Sequence, residues 1–407
     1  MNKFEDIGLN SQLLMAINRL GYEEPTEIQS KIIPHIMEGK DVIGESSTGS
    51  GKTLAFGCGV VNKVEEKQGL QALILAPTRE LVDQVRKEIV KIALNKKLHI
   101  TSIYGGVGMG PQIEELKRTN VVIATPGRLL DHYRRGNINL KNLKVLVLDE
   151  ADRMLDMGFI DDIEKVIKAC PKERQTLLFS ATINPRIKTL SARYLKNPVD
   201  IKAEKYVDPS KLTQVYYDVH KNSRISLLLH LLDEKEGLAM IFCNTRKMVD
   251  FVTKNLRENK ISTVAIHGGL TQNKRTNIID QFNKGKFEVL VCTDVAARGL
   301  HIEDVSQVYN YEIPKDPNDY VHRSGRTARA GESGKVINLL CEYDHDNFGR
   351  VVNEYRNFNI EKMETPKFKR IFAVGTESFG KPQFRRGPRR NSGRGNGRPH
   401  YNNRGKR

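Results

Sequence analysis

Long hydrophobic runs are missing from this chain of 407 residues. The longest apolar stretches, such as Leu70 to Pro77 and Val145 to Leu148, fall far short of the roughly 20 residues a bilayer-spanning helix needs, so no membrane span is expected. Nor does an apolar stretch follow a basic one in Met1-Asn2-Lys3-Phe4-Glu5-Asp6, so no secretory signal is expected. Cysteine is sparse: Cys58, Cys170, Cys243, Cys292 and Cys341 lie far apart, are odd in number and form no C-x-x-C pair. That excludes a paired zinc or redox motif and points to free thiols in a reducing interior. From Lys381 to Arg407 acidic residues are absent, while Lys381, Arg385, Arg386, Arg389, Arg390, Arg394, Arg398, Arg404, Lys406 and Arg407 are all basic.

What is present is positive charge. Lys and Arg number 66 against 49 Asp and Glu, a net +17, and removing the ten basic residues of the tail leaves +7 on the rest (17 − 10). Such a balance calls for a polyanionic partner, nucleic acid first. The tail carries only Phe384 and Tyr401 as large apolar groups, which cannot offset the entropy of ordering it, so disorder is expected there. Runs such as Ser392-Gly393-Arg394-Gly395-Asn396-Gly397-Arg398 suit phosphate neutralisation and stacking of guanidinium planes on bases; a solvated solubility tail is the alternative.

At about 150 residues per domain the length implies two or three domains. Short apolar runs alternate with amphipathic helical patterns twice over, the signature of parallel α/β sheets. The first set reads 41–43, 72–75, 121–123, 144–148 and 176–179; the second reads 239–242, 263–266, 289–292, 305–309 and 335–339. Between them the polar stretch Lys202 to Ser210, ending in the turn dipeptide Pro209-Ser210, breaks the pattern. The expected division is therefore an N-terminal segment 1–30, a first domain 31–203, a linker 204–210, a second domain 211–362 and a basic tail 363–407.

After the first strand comes Ser46-Ser47-Thr48-Gly49-Ser50-Gly51-Lys52-Thr53, followed by a helical pattern. Strand, glycine-bearing loop and helix start are the context of a phosphate-binding loop: backbone amides close around phosphates, Lys52 adds a point charge and the Thr53 hydroxyl suits Mg²⁺. The usual leading glycine is replaced by Ser46. Further on, Val145-Leu146-Val147-Leu148 runs into Asp149-Glu150-Ala151-Asp152, carboxylates at the carboxyl end of a buried strand, which in a parallel sheet faces the ligand crevice. One carboxylate can hold Mg²⁺ through water and its neighbour can orient and deprotonate an attacking water. Acids decorating a helix N-terminus would look the same.

Asp149-Glu150-Ala151-Asp152 resembles the signature of the DEAD-box RNA helicases. The resemblance extends from residue 4 to about 340 through Gly21 to Gln29, Pro77-Thr78-Arg79-Glu80-Leu81, Gly105-Gly106, Thr125-Pro126-Gly127-Arg128, Ser180-Ala181-Thr182, Thr293 to Gly299 and His322 to Arg329. It implies two tandem RecA-like domains that close on ATP, Mg²⁺ and RNA. By resemblance Gln29 makes paired hydrogen bonds to adenine, Phe4 stacks on the ring or else anchors the N-terminal segment, and Thr26 links this motif to the phosphate loop. Lys52, Asp149 and Glu150 form the hydrolytic centre, and Arg326 and Arg329 are arginine fingers from the second domain. Ser180 and Thr182 couple nucleotide state to unwinding, unless they only cap the next helix. His322 is an interdomain contact or a structural histidine.

RNA contacts implied in the same way are Pro77, Thr78, Arg79, Gly105, Gly106, Thr125, Gly127 and Arg128 in the first domain, with Arg246, Gly268, Gly269, Thr293 and Asp294 in the second. Contacts of this kind address phosphates and leave base edges unread, so sequence-independent binding is expected, with the ribose 2′-hydroxyl favouring RNA over DNA. Departures from the family pattern are Ser46-Ser47 before Thr48-Gly49, His301 where an acid is common, and Ser324 and Ala328 in the last motif. The expected function is an ATP-dependent RNA helicase that opens short duplexes locally or remodels ribonucleoprotein in ribosomal or RNA-decay assemblies of the bacterial cytoplasm. An RNA clamp or chaperone is the alternative, and a DNA helicase a more distant one.

Overall fold

The computed structural model describes residues 3–46, 50–203, 212–297, 302, 305–328, 333–356 and 358–375. Two seven-stranded sheets, parallel throughout, organise it. The first consists of β1 (Val42–Glu45), β2 (Ala72–Leu75), β3 (Ile100–Ile103), β4 (Val121–Ala124), β5 (Val145–Leu148), β6 (Gln175–Ser180) and β7 (Val199–Lys202). The second consists of β8 (Leu212–Asp218), β9 (Leu238–Cys243), β10 (Thr263–Ile266), β11 (Val289–Thr293), β12 (Val305–Asn310), β13 (Gly334–Leu340) and β14 (Ile360–Lys362).

The spatial orders are β3-β4-β2-β5-β6-β1-β7 and β10-β11-β9-β12-β13-β8-β14. Subtracting seven from every label of the second gives the first, so the halves share one topology. Helices cover both faces, which is why the central strands are apolar along their whole length rather than in alternation. Alternate side chains then feed two cores. Ile74, Val121, Ile123 and Val147 pack to one side of the first sheet, whereas Leu73, Val122, Leu146 and Leu148 pack to the other.

The ten expected strands are all present, but β3, β7, β8 and β14 are absent from the sequence reading. Ile100–Ile103 is short, β7 carries exposed Asp200 and Lys202 at the sheet edge, and β14 carries exposed Glu361 and Lys362. Charged edge strands of this kind show little hydrophobic period. β8, Leu212–Asp218, alternates with polar Thr213 and Gln214 and begins close to the expected linker, which lies outside the described residues, as does the tail from residue 376 on.

The tail expected from 363 is corrected in its first part. Residues 363–375 lie along the second domain, with Phe368 and Ile371 packed against the core beneath the helices Arg224–Asp233 and Arg246–Glu258. Thr365 Oγ1 donates to Asp218 O at 2.9 Å, Ile371 N to Ser226 Oγ at 3.1 Å and Val374 N to Asn255 Oδ1 at 2.8 Å. Two apolar anchors and side-chain partners for its amides give this stretch what the more distal sequence lacks.

Candidate active site

In the first sheet β5, β6 and β1 are neighbours. Their carboxyl ends bring Asp149, Ser180 and Ser46 to one rim, where Ser46 N donates to Ser180 O at 3.0 Å. Beyond Ser46 the chain enters the helix Lys52–Lys63 through Gly51. Gly51 has φ +92°, a left-handed state that favours glycine, and a Cβ there would stand 2.3 Å from Gln29 Nε2, so a larger residue would have to displace that amide. Lys52 is buried and its Nζ donates to Ser46 O at 2.7 Å; the Ser46 and Ser50 hydroxyls meet at 2.9 Å. Thr53 is on the first turn of the same helix. Ser47, Thr48 and Gly49 lie outside the described residues.

The helix Glu27–Met37 begins with a capping box that also grips this loop. Thr26 N donates to Gln29 Oε1 at 2.9 Å, Thr26 Oγ1 donates to Ser50 O at 2.8 Å, and Gln29 Nε2 donates to Gly51 O at 3.1 Å. A primary amide has two N–H groups and two lone pairs, so Gln29 retains one of each beyond these contacts. Phe4 is 3% exposed and packs in the core of the first domain.

The acids after β5 are unequal. Burial pushes the Asp149 carboxyl up to about 7, only partly countered by Lys52, and Glu150 N donates to its Oδ1 at 3.0 Å. Burial also drives Glu150 upward, but Arg153 and Lys52, with His322 and Arg326 of the second domain, outweigh it and hold the carboxyl below its ordinary range. Glu150 adopts a left-handed backbone with φ 51°, a strained state that aims it out of the strand, and its Oε2 is ion-paired with the buried Arg153. Nε and Nη2 of Arg153 have no hydrogen-bond partner among the described residues.

Asp152 faces the other way. Its Oδ2 accepts from Thr182 N at 2.9 Å and Thr182 Oγ1 at 3.0 Å, while Asp152 N donates to Ser180 Oγ at 3.2 Å. Ser180 and Thr182 therefore join β6 to the acidic motif.

The other half of each sheet carries the expected RNA residues. Pro77, Gly105 and Thr125 follow the adjacent strands β2, β3 and β4; Arg246, Gly268 and Thr293 belong to the carboxyl ends of β9, β10 and β11, the corresponding positions of the second sheet. Thr78 caps the helix Arg79–Ile92, its Oγ1 accepting from Leu81 N at 3.3 Å, and Thr125 precedes the helix Pro126–Arg134, which holds Gly127 and Arg128 in its first turn. The Arg79 guanidinium covers Gly106, where φ is +82° and a Cβ would collide with it at 2.1 Å. Arg128 donates to Val107 O at 3.3 Å, and the Arg246 guanidinium lies against Gly268 and Gly269.

Asp294 is held by another residue of the chain. Arg323 Nε and Nη2 donate to its two oxygens at 2.6 Å each, and Arg323 also donates to Asn310 Oδ1 at 2.9 Å, Glu312 O at 2.6 Å and Asn244 Oδ1 at 3.0 Å. This buried fork, flanked by Phe242 at 5.1 Å, orders the turns after β9, β11 and β12 together. Sequence reasoning missed Asn244, Asn310 and Arg323, although Arg323 stands in the His322 to Arg329 string. It also missed Glu80 and Arg275, which meet across the domains at 2.5 Å. Arg326 is 3% exposed near Glu150; Arg329 and His301 lie outside the described residues.

Twin parallel sheets of one topology, a Gly-Lys-Thr loop after β1 and carboxylates after β5 define a tandem RecA-like protein of the P-loop type. The DEAD/DEAH box helicase model matches residues 26–190 and the helicase conserved C-terminal domain model matches residues 221–331. An ATP-dependent RNA helicase CshA of Listeria monocytogenes is 43% identical over 388 residues, covering 93% of this chain and 74% of the relative. A DEAD box protein of Methanococcus jannaschii is 40% identical with a TM-score of 0.56, covering 89% and 99% of the two chains. Dbp5 of S. cerevisiae bound to RNA and ADP BeF3 is 29% identical with a TM-score of 0.81, covering 90% and 96%. The chain belongs to the DEAD-box ATP-dependent RNA helicase family and is an enzyme of that class.

Proposed function

We propose that the two domains, residues 31–203 and 211–362 joined by 204–210, close on ATP and RNA, open short duplexes locally or remodel ribonucleoprotein, and reopen on hydrolysis. The observation that carries this reading is the position of Glu150. Its charge is stabilised by Arg153 and Lys52 of its own domain and by His322 and Arg326 of the other, so hydrolytic chemistry is complete only when the domains meet. The greater likeness to RNA-bound Dbp5 than to the more identical M. jannaschii protein supports the same arrangement.

In this mechanism the loop through Lys52 and Thr53 cradles the phosphates and the spare donor and acceptor of Gln29 read the adenine edge. Glu150 orients the attacking water and takes its proton, and Arg326, with Arg329, stabilises charge developing on the γ-phosphate. Mg²⁺ fits the oxygen donors present, the Asp149 carboxyl and the Thr53 hydroxyl, and when bound it would neutralise phosphate charge. No group of three or more His, Cys, Asp or Glu suited to a metal occurs among the described residues.

The Asp152, Ser180 and Thr182 contacts link the acidic motif to the phosphate loop, so loss of the γ-phosphate can be transmitted to the rims that hold RNA. Those rims present glycines, helix starts and arginines to the RNA backbone, which suits sequence-independent work in ribosomal or RNA-decay assemblies. The relatives from Listeria and Bacillus support a bacterial setting. The test is steady-state ATP hydrolysis without nucleic acid, with single-stranded RNA and with DNA of the same sequence. Stimulation by RNA that Glu150→Gln abolishes is the expected result. Turnover at the parent rate in that variant, or equal response to DNA, would overturn the reading.

A further inference from the structure

The segment 363–375 borders a cavity of about 860 Å³ on the outer face of the second domain, away from the rims described above. Its walls include Lys221, Asn222 and Ser223 before the helix Arg224–Asp233, Phe251 of the helix Arg246–Glu258, and Arg370 and Phe372 of the segment itself. None of the lining residues is acidic. The carboxylates near this wall are engaged: Asp250, next to Phe251 in sequence, by His267 at 3.3 Å, Asp218 by Lys362 at 2.6 Å, and Glu342 by His220 at 3.3 Å and by Lys221 N at 3.4 Å.

Phe372 is the telling residue. Its ring is fully exposed, at 101%. Yet the backbone on either side is fastened, by Ile371 N to Ser226 Oγ and by a reciprocal pair between Val374 and Asn255 at 2.8 and 3.3 Å. Ordering this segment costs conformational entropy, and the exposed ring offsets none of that cost by burial. A planar ring beside Arg370 and Lys221 is the combination that binds single-stranded nucleic acid, the ring stacking on a base and the cations taking the flanking phosphates. Arg370, the arginine of this wall, has no carboxylate within salt-bridge distance among the described residues, and Lys221 Nζ lies 5.6 Å from the centre of the Tyr343 ring.

Placement adds to the argument. Phe251 is five residues (251 − 246) beyond Arg246 on the same helix, roughly 8 Å of axial rise, so the cavity and the cleft are served by one rigid element. From Gly375 the sequence continues into the acid-free stretch Lys381 to Arg407.

We propose that this cavity is a second RNA subsite, in which a base stacks on Phe372 while Arg370 and Lys221 hold adjoining phosphates of a strand that also occupies the cleft. The proposal rests on the RNA-binding reading of the cleft. It makes the strap a handle on RNA outside the reach of the catalytic rims, and it gives longer RNAs an advantage that short ones do not have.

The test uses the full chain, RNA of roughly 10 and roughly 40 nucleotides, and the double variant Phe372→Leu with Arg370→Gln. Affinity for the long RNA is expected to fall about fivefold or more, while affinity for the short RNA and the ATP hydrolysis it stimulates stay unchanged. Wild-type protein irradiated with 4-thiouridine-bearing long RNA should crosslink within 363–375. Unchanged affinity for both lengths, equal loss for both, or crosslinks confined to Lys381 and beyond would overturn the proposal. Failure of the short RNA to bind at all would instead contradict the cleft reading.

Discussion

The Glu80 carboxylate of the first domain lies 2.5 Å from the Arg275 guanidinium of the second, with both side chains largely withdrawn from solvent. Glu80 follows Arg79, which covers Gly106 in the RNA rim, and Arg275 Nη2 donates to Ala296 O at 3.0 Å, three residues past Thr293. A single ion pair therefore ties together the candidate RNA rims of both domains.

Glu80→Ala and Arg275→Ala are each expected to lower RNA-stimulated ATP hydrolysis several-fold while sparing nucleotide affinity. Because the partners touch, the double variant should lose little more than either single one, a coupling of about 1–3 kcal/mol in a double-mutant cycle of RNA-dependent turnover. Additive losses would show that the contact carries nothing.

Arg153 should set the acid limb of the rate profile. It is the leading influence holding the Glu150 carboxyl below its ordinary range against burial. Replacing it with Met leaves burial in place and removes that counterweight, so the Glu150 pKa rises and the base is protonated over a wider acidic range. The turnover profile of Arg153→Met is expected to shift its acid limb upward, with a larger loss near pH 6 than near pH 8. A profile lowered uniformly would mean that Arg153 is only structural.

Gly51→Ala faces two separate obstacles: a left-handed φ costing roughly 1 kcal/mol and a clash with the Gln29 amide. Nucleotide binding should be lost while the domain remains folded, measurable by fluorescence titration beside thermal unfolding. Binding at parental strength would mean that the Gln29 contact to the loop is dispensable.

Arg323→Met removes the buried guanidinium that forks to half-buried Asp294 and takes away the donor to Asn244, Asn310 and Glu312. Breaking one side of a buried pair costs about 3–5 kcal/mol, and urea unfolding of the second domain's transition should show a loss of that order. The conservative Arg323→Lys is expected to recover only part of it, because an ammonium cannot fork to both Asp294 oxygens.

Much of the fold was legible because fully buried parallel strands announce themselves as apolar runs. The strands that escaped notice, β7 and β14 above all, carry charge at sheet edges, where pairing depends on neighbours distant in sequence. The same holds for the site. Lys52, Asp149 and Glu150 stand in local strings whose chemistry reads directly, whereas the Arg323 fork gathers Asn244, Asp294 and Asn310 from three strands whose adjacency no string displays. The strap is a third case: Phe368 and Ile371 sit among Lys367, Lys369 and Arg370, and net charge concealed two packing anchors.

Closure is the central claim, and it is measured most directly by energy transfer between one dye on each domain, attached at exposed positions remote from both rims. A rise in transfer is predicted only when the ATP analogue and single-stranded RNA are both present, with Arg275→Ala reducing it. Full transfer with nucleotide alone, or none with both ligands, would contradict the account.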